Sequence, residues 1–158
     1  NFNLPGWSNI VEKASKLWKS IVYGGNGYAE FNTTSTTAAE NIAWLVSPKI
    51  DMDSYKNAVL SFRSAQHDLK VDSPLNTIEI YVSANFNGSN VTKATWTKLS
   101  ARVATQSTPP RQFISSGGID LSSYSGKINI AFKYLGSGKD KTLNGAFMID
   151  DVKIYGEK

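Results

Sequence analysis

The stretch Gly126-Lys127-Ile128-Asn129-Ile130-Ala131-Phe132-Lys133-Tyr134 and its successor Ala146-Phe147-Met148-Ile149-Asp150-Asp151-Val152-Lys153-Ile154-Tyr155 decide the reading of this chain. In the first, Ile128, Ile130, Phe132 and Tyr134 share one parity, and Lys127, Asn129 and Lys133 share the other. Side chains alternate faces along a strand, so this is a strand with one buried face and one wet face. The linker from Leu135 to Gly145 is rich in Gly, Ser, Lys and Asp, which predicts either a long-looped hairpin or a crossover between two sheets. The second strand breaks its own pattern. Asp150 and Asp151 interrupt an apolar run, and adjacent positions face opposite ways, so one carboxylate is expected to aim inward. A buried carboxylate needs an ion pair, hydrogen bonds or a metal.

Working outward from this pair, the same period-2 pattern recurs. Leu60 and Phe62 oppose Ser61 and Arg63, and Ile78, Ile80 and Val82 alternate with Glu79 and Tyr81. Ile42 to Ser47 reads as a strand stopped by Pro48, Tyr28 to Phe31 as a short strand, and Trp96 to Leu99 as the start of another. Arg111 to Ser115 reads as a strand and Ile119 to Tyr124 as a turn into the final pair. The opening segment differs. Ile10, Val11, Ala14, Leu17 and Trp18 fall at roughly helical spacing behind Ser8 or Asn9 as N-cap, which predicts a short helix before the Gly24-Gly25-Asn26-Gly27 turn. Seven to ten short strands with turns between them predict an all-β sandwich.

A chain of 158 residues is long enough for one domain, expected to run over residues 1–158. Hydrophobic residues at 41% and charged residues at 19% fit a globular protein. The net charge of +4 is spread over scattered lysines without a basic run, which argues against a dedicated nucleic-acid binder. With no cysteine there are no disulfides, thiolate metal sites or cysteine nucleophiles. No stretch approaches the roughly 20 apolar residues of a membrane span. The start at Asn1, without Met or a leader, has the look of a mature fragment or of a domain cut from a longer protein. Asn32, Asn87 and Asn90 fit glycosylation sequons, which a chain so rich in Asn, Ser and Thr produces by chance.

Several ordered pieces together resemble a known pattern. These are Trp44-Leu45-Val46-Ser47-Pro48-Lys49-Ile50-Asp51, Leu60-Ser61-Phe62, Ile80-Tyr81-Val82-Ser83, Trp96-Thr97-Lys98-Leu99, Ile119-Asp120-Leu121-Ser122-Ser123-Tyr124, Ile130-Ala131-Phe132-Lys133-Tyr134 and Ile149-Asp150-Asp151-Val152-Lys153-Ile154. The match runs over about residues 28–155 and is similar to the cleaved-adhesin or choice-of-anchor J modules of Bacteroidetes secreted and surface proteins, themselves MAM-like. The resemblance implies a jelly-roll β-sandwich of two antiparallel sheets, secreted or on the bacterial cell surface, working as a non-catalytic module. It also implies a structural calcium. Carried over position by position, the ion's ligands are Asn3, Asp68 and Asp151, with Asn3 standing where the family more often has an acid.

The implied partner is a glycan or another extracellular polymer or protein, with no nucleic acid and no membrane span. Trp18, Tyr23 and Tyr28, with Trp7 nearby, cluster beside the glycine-rich turn and are the candidate ligand surface, because aromatic faces stack on sugar rings. Trp44 and Trp96 sit in strands and read as structural. Two rival readings are a spacer in a surface lipoprotein and a fragment of a small glycoside hydrolase. The latter needs two carboxylates roughly 5–10 Å apart, for which Glu30 and Glu79 are the pair to examine. His67, the one histidine, has Asp68 beside it and reads as a loop-entry hydrogen-bonding residue. Gly24 to Gly27 lacks the strand-before, helix-after setting of a phosphate loop.

Overall fold

The computed structural model describes residues 4–158. Within them lie β1 (Ser8–Lys13), β2 (Lys19–Tyr23), β3 (Asn26–Phe31), β4 (Asn41–Val46), β5 (Ile50–Asp51), β6 (Lys56–His67), β7 (Thr77–Ser83), β8 (Thr97–Leu99), β9 (Ile114–Ser115), β10 (Ile119–Asp120), β11 (Lys127–Gly136) and β12 (Ala146–Glu157). The first sheet is ordered β1-β4-β11-β7-β8, with β5 against β11; the second is ordered β10-β6-β12-β3-β2, with β9 against β6. Every strand pairing is antiparallel. Because β11 and β12 belong to different sheets, the 135–145 linker is a crossover and not a hairpin.

The inner faces carry the parities expected from the sequence. Ile128, Ile130, Phe132 and Tyr134 of the first sheet, with Ile78, Ile80 and Val82, meet Leu60, Phe62, Phe147 and Ile149 of the second. Phe62 packs edge-on against Phe132 with ring centroids 5.1 Å apart, and Phe31 stacks on Tyr134 at 4.2 Å. Each such burial contributes roughly 1.5–3 kcal/mol, so this apolar interlayer is the main stabilising term. The Tyr134 hydroxyl is taken care of locally: it donates to the Gly145 carbonyl at 2.6 Å and accepts from Asn76 Nδ2 at 3.3 Å.

The opening segment corrects the expected helix. Ser8–Lys13 is an edge strand whose residues pair with β4, Ile10 lying opposite Trp44. Asn9 does not cap a helix. Its side-chain amide clamps the Trp18 backbone from both sides, donating to the Trp18 carbonyl at 2.8 Å and accepting from the Trp18 amide at 3.1 Å. The helical spacing misled because β-branched Ile10 and Val11 gain more from sheet pairing than from a short, marginal helix.

The parity argument for Asp150 and Asp151 also fails, for a physical reason. The register of β12 against β6 slips between Asp150 and Lys153, and Asp151 takes a left-handed φ of 51°. This is a β-bulge, which resets the alternation and spares either carboxylate from the core. Asp150 is half-buried on the outer face, accepting from Asn26 Nδ2 at 3.0 Å and from the Asp151 amide at 2.8 Å. Asp151 is exposed, with Arg63 Nη1 4.0 Å away. Beyond the bulge Val152 and Ile154 again pack against the core.

Candidate functional site

Of the aromatic residues expected to form one ligand surface, Tyr23 and Tyr28 meet at Arg111, and Trp18 lies apart from them in the core. Trp18 is 1% exposed and belongs to the core, its ring edge-on to Phe31 and Tyr134 and its indole N–H donating to the Ala43 carbonyl at 3.3 Å. It cannot stack on an external ligand, which corrects that expectation. Trp7 packs over Phe132. Tyr28 lies nearly buried on the outer face of the second sheet, 5.4 Å from the Phe113 ring, and its hydroxyl accepts from Arg111 Nη1 at 3.2 Å. Tyr23 alone is open, 62% exposed, with the Arg111 guanidinium 4.9 Å from its ring centre.

The same outer face carries a chain of polar groups that sequence reading only touched at its end. Glu30, on β3, is 7% exposed, yet its Oε1 accepts from Asn32 Nδ2 at 2.8 Å and lies 3.0 Å from His67 Nε2. The other ring nitrogen of His67 is 2.9 Å from Asp68 Oδ2. The hydrogen bond to Glu30 holds the imidazole above its ordinary pKa, against the opposing pull of burial. Burial tends to raise the Glu30 carboxyl, but hydrogen bonds from His67 and Asn32 outweigh it and leave the carboxyl below its ordinary range. His67 thus straps β6 to β3 across β12 and is a structural residue as much as a loop-entry one.

The calcium set implied by the resemblance does not fit these residues. Asp68 follows His67, which pairs with Ala146, whereas Asp151 follows Asp150, which pairs with Arg63. Roughly 13 Å of strand separates Arg63 from His67 at ~3.3 Å per residue, and the two aspartates lie beyond its opposite ends. Ligands of one calcium must each approach to about 2.3–2.6 Å, so these two cannot share an ion. Asn3 lies outside the described residues. Among the described residues no group of three or more His, Asp and Glu side chains gathers for a metal. The glycosidase pair fails in the same way. Glu30 and Glu79 project from opposite outer faces of the sandwich, farther apart than the ~10 Å between sheets, beyond the spacing either hydrolytic geometry uses.

The aromatic concentration lies on the other side of the molecule. On β4, Ala43 and Leu45 point into the core, so Ile42, Trp44 and Val46 point out. The loop from Ser83 to Trp96 folds back over them, burying Phe86 and Val91 in a second, smaller apolar cluster. Its asparagines hold that loop in shape: Asn85 Oδ1 accepts from the Thr95 amide at 2.8 Å, Asn87 Oδ1 from the Asn90 amide at 2.9 Å, and Asn90 Oδ1 from the Thr92 amide at 3.0 Å. What remains is an open slot of about 340 Å³ lined by Glu12, Trp44, Tyr81, Val91, Trp96 and Lys133.

Trp44 forms the floor at 4% exposure, and Trp96 and Tyr81 are half-buried walls with ring centres 5.0 and 5.4 Å from it. Each polar tip is fixed. Trp44 Nε1 donates to Glu12 Oε2 at 2.6 Å, Trp96 Nε1 to the Val91 carbonyl at 2.9 Å, and the Tyr81 hydroxyl to Glu79 Oε1 at 3.1 Å. Burial, with the Glu79 carboxylate next to it, pushes the Tyr81 phenol up to about 12, so it remains a donor at physiological pH. The rings are therefore held rigidly while their hydrogen-bonding needs are met from within; Trp44 is the buried support, and Trp96 and Tyr81 carry the aromatic surface that a ligand can reach. A larger groove of about 530 Å³ borders β7 and β8, but Phe147 is the one aromatic in its lining, and it offers no stacking wall. Sequence reading took Trp44 and Trp96 as structural, and Trp44 is indeed buried in an apolar cluster, but on the outer face of its sheet. The signal available was parity: Trp44 shares its face with Ile42 and Val46, opposite core-facing Ala43 and Leu45.

Comparison with known proteins agrees with this architecture. A family model described as Domain of unknown function (DUF5017) matches residues 46–155, well over half of the chain. No curated protein matches it. The K1 cleaved adhesin domain of Lys-gingipain from Porphyromonas gingivalis W83 superposes with a TM-score of 0.61 at 16% identity, covering 100% of this chain and 95% of that one. The K2 cleaved adhesin domain of Lys-gingipain does so at 0.60 and 16%, covering 95% and 90%. The CBM22-2 xylan-binding domain of Paenibacillus barcinonensis Xyn10C gives 0.54 at 12%, covering 98% and 93%. The cleaved-adhesin resemblance and the jelly-roll sandwich read from the sequence are thereby borne out. The chain belongs to the DUF5017 family.

Proposed function

We propose that this member of the DUF5017 family is a non-catalytic glycan-binding module, with the Trp44, Tyr81 and Trp96 slot as its binding site. The observation that carries the reading is the set of three aromatic rings held rigidly around an open slot, with Glu12 and Lys133 at its margin. Apolar ring faces pack against the C–H face of a pyranose, and a few fixed polar groups select its hydroxyl pattern. The similar structures include a domain whose name states that it binds xylan, which supports a sugar as the ligand class. The module works outside the cell, as part of a secreted or surface protein of the cleaved-adhesin kind. No helix of the described residues is long and apolar enough to cross a membrane.

Affinity electrophoresis against a panel of plant, fungal and host polysaccharides tests this. The wild type is retarded by at least one polymer, and Trp96→Ala, which removes a half-buried wall, weakens that retardation about tenfold or more, in line with the worth of an aromatic contact. If no polymer retards the wild type, the slot is packing alone and the spacer reading takes its place.

A further inference from the structure

We infer that the slot selects an anionic sugar, one bearing a carboxylate or sulfate, and that Lys133 is the residue that reads it; this rests on the glycan-binding reading above. The other polar side chains around the slot have hydrogen-bond partners, although the neutral Trp44 indole leaves the charge of Glu12 uncancelled. Glu12 accepts from the Trp44 indole, and Glu79 accepts from Tyr81 on one oxygen and from Lys98 Nζ, at 2.7 Å, on the other. Lys133 differs. It is half-buried, its Nζ lies 5.1 Å from the Trp44 ring centre and 5.9 Å from that of Tyr81, and among the described residues it makes neither a hydrogen bond nor an ion pair.

An ammonium held over two ring faces keeps its three N–H donors for something else, because the rings satisfy its charge only in part. Sheet pairing fixes where it stands: Lys133 is flanked by Trp44 on β4 and Glu79 on β7. A sugar stacked between Trp96 and Tyr81 brings its substituents to this cation. A ring carboxylate or sulfate there forms a charge-assisted hydrogen bond in a partly desolvated setting, which a neutral hydroxyl does only weakly. The net charge of +4 favours the approach of an acidic polymer in the same sense.

The test compares the wild type, Lys133→Met and, as control, Lys153→Met on the other sheet, all checked for unchanged thermal unfolding, against polygalacturonate, heparin and neutral xylan and mannan. The expected result is tightest binding to an acidic polymer, a loss of about tenfold or more in Lys133→Met, and little change in Lys153→Met, which is exposed away from the slot. Preference for polygalacturonate assigns a uronate, and preference for heparin assigns a sulfated sugar. A neutral polymer bound as tightly as the acidic ones, or acidic binding that Lys133→Met leaves intact, overturns the inference; if Trp96→Ala still abolishes that binding, the slot reading survives. Absence of binding to all four polymers overturns the inference, while the slot reading falls only if the wider polysaccharide panel also fails.

Discussion

Asn76 shows how much a single buried side chain can hold. It is 1% exposed, and its amide donates to the Tyr134 hydroxyl, the Leu135 carbonyl and the Gly145 carbonyl while its oxygen accepts from the Gly145 amide at 2.7 Å. Asn76→Ala strands several buried polar groups and is expected to lower unfolding stability by about 2–3 kcal/mol, measured in urea. His67 gives a pH signature. Its imidazole is held above the ordinary 6.5 by Glu30, so its contribution is complete below that value and is lost as pH rises through the elevated one. Glu30, held below its ordinary 4.5, contributes above that value and loses its contribution as pH falls through the depressed one. The stability difference between the wild type and His67→Gln should be greatest between those two ordinary values and shrink toward alkaline pH. A difference that grows with pH contradicts the strap. The sequence placed His67 as a hydrogen-bonding residue beside Asp68, as the structure has it, but not its pairing with Glu30, because the two meet only when β12 has been laid between their strands.

At the scale of the element, what could be read in advance followed from alternation, and what could not followed from its interruption. β7, β11 and β6 from Ala58 onward alternate without a break, and Leu60, Phe62, Ile80, Phe132 and their neighbours were assigned to the correct face. β12 does not, because the bulge at Asp150 and Asp151 inserts an extra residue that parity cannot anticipate. Backbone strain at the bulge is testable. Asp151 sits at φ 51°, a region that Asp tolerates, Gly prefers and β-branched residues avoid. Asp151→Gly is expected to be neutral or to stabilise slightly, whereas Asp151→Val should cost about 1–2 kcal/mol by the same urea measurement. Equal effects of the two would show that the bulge is not what sets the backbone there. β1 was misread for a related reason: Trp18 counted toward a helical stripe, whereas its backbone is anchored by the side chain of Asn9 on β1.

At the scale of the molecule, two sheets supply a rigid support and leave two outer faces for different uses. The second sheet's face carries two internally bonded groups, Tyr28 with Phe113 and Arg111, and the Glu30–His67 strap. The first sheet's face keeps an aromatic slot whose polar tips are internally satisfied, and on this contrast the functional account depends. The four tryptophans provide separate reporters of it. In a ¹H–¹⁵N spectrum titrated with a retained oligosaccharide, the indole N–H signals of Trp44 and Trp96 should shift, while that of Trp18, sealed in the core, should stay fixed. Shifts confined to the Tyr23 and Arg111 face, with Trp44 and Trp96 unmoved, would contradict the account.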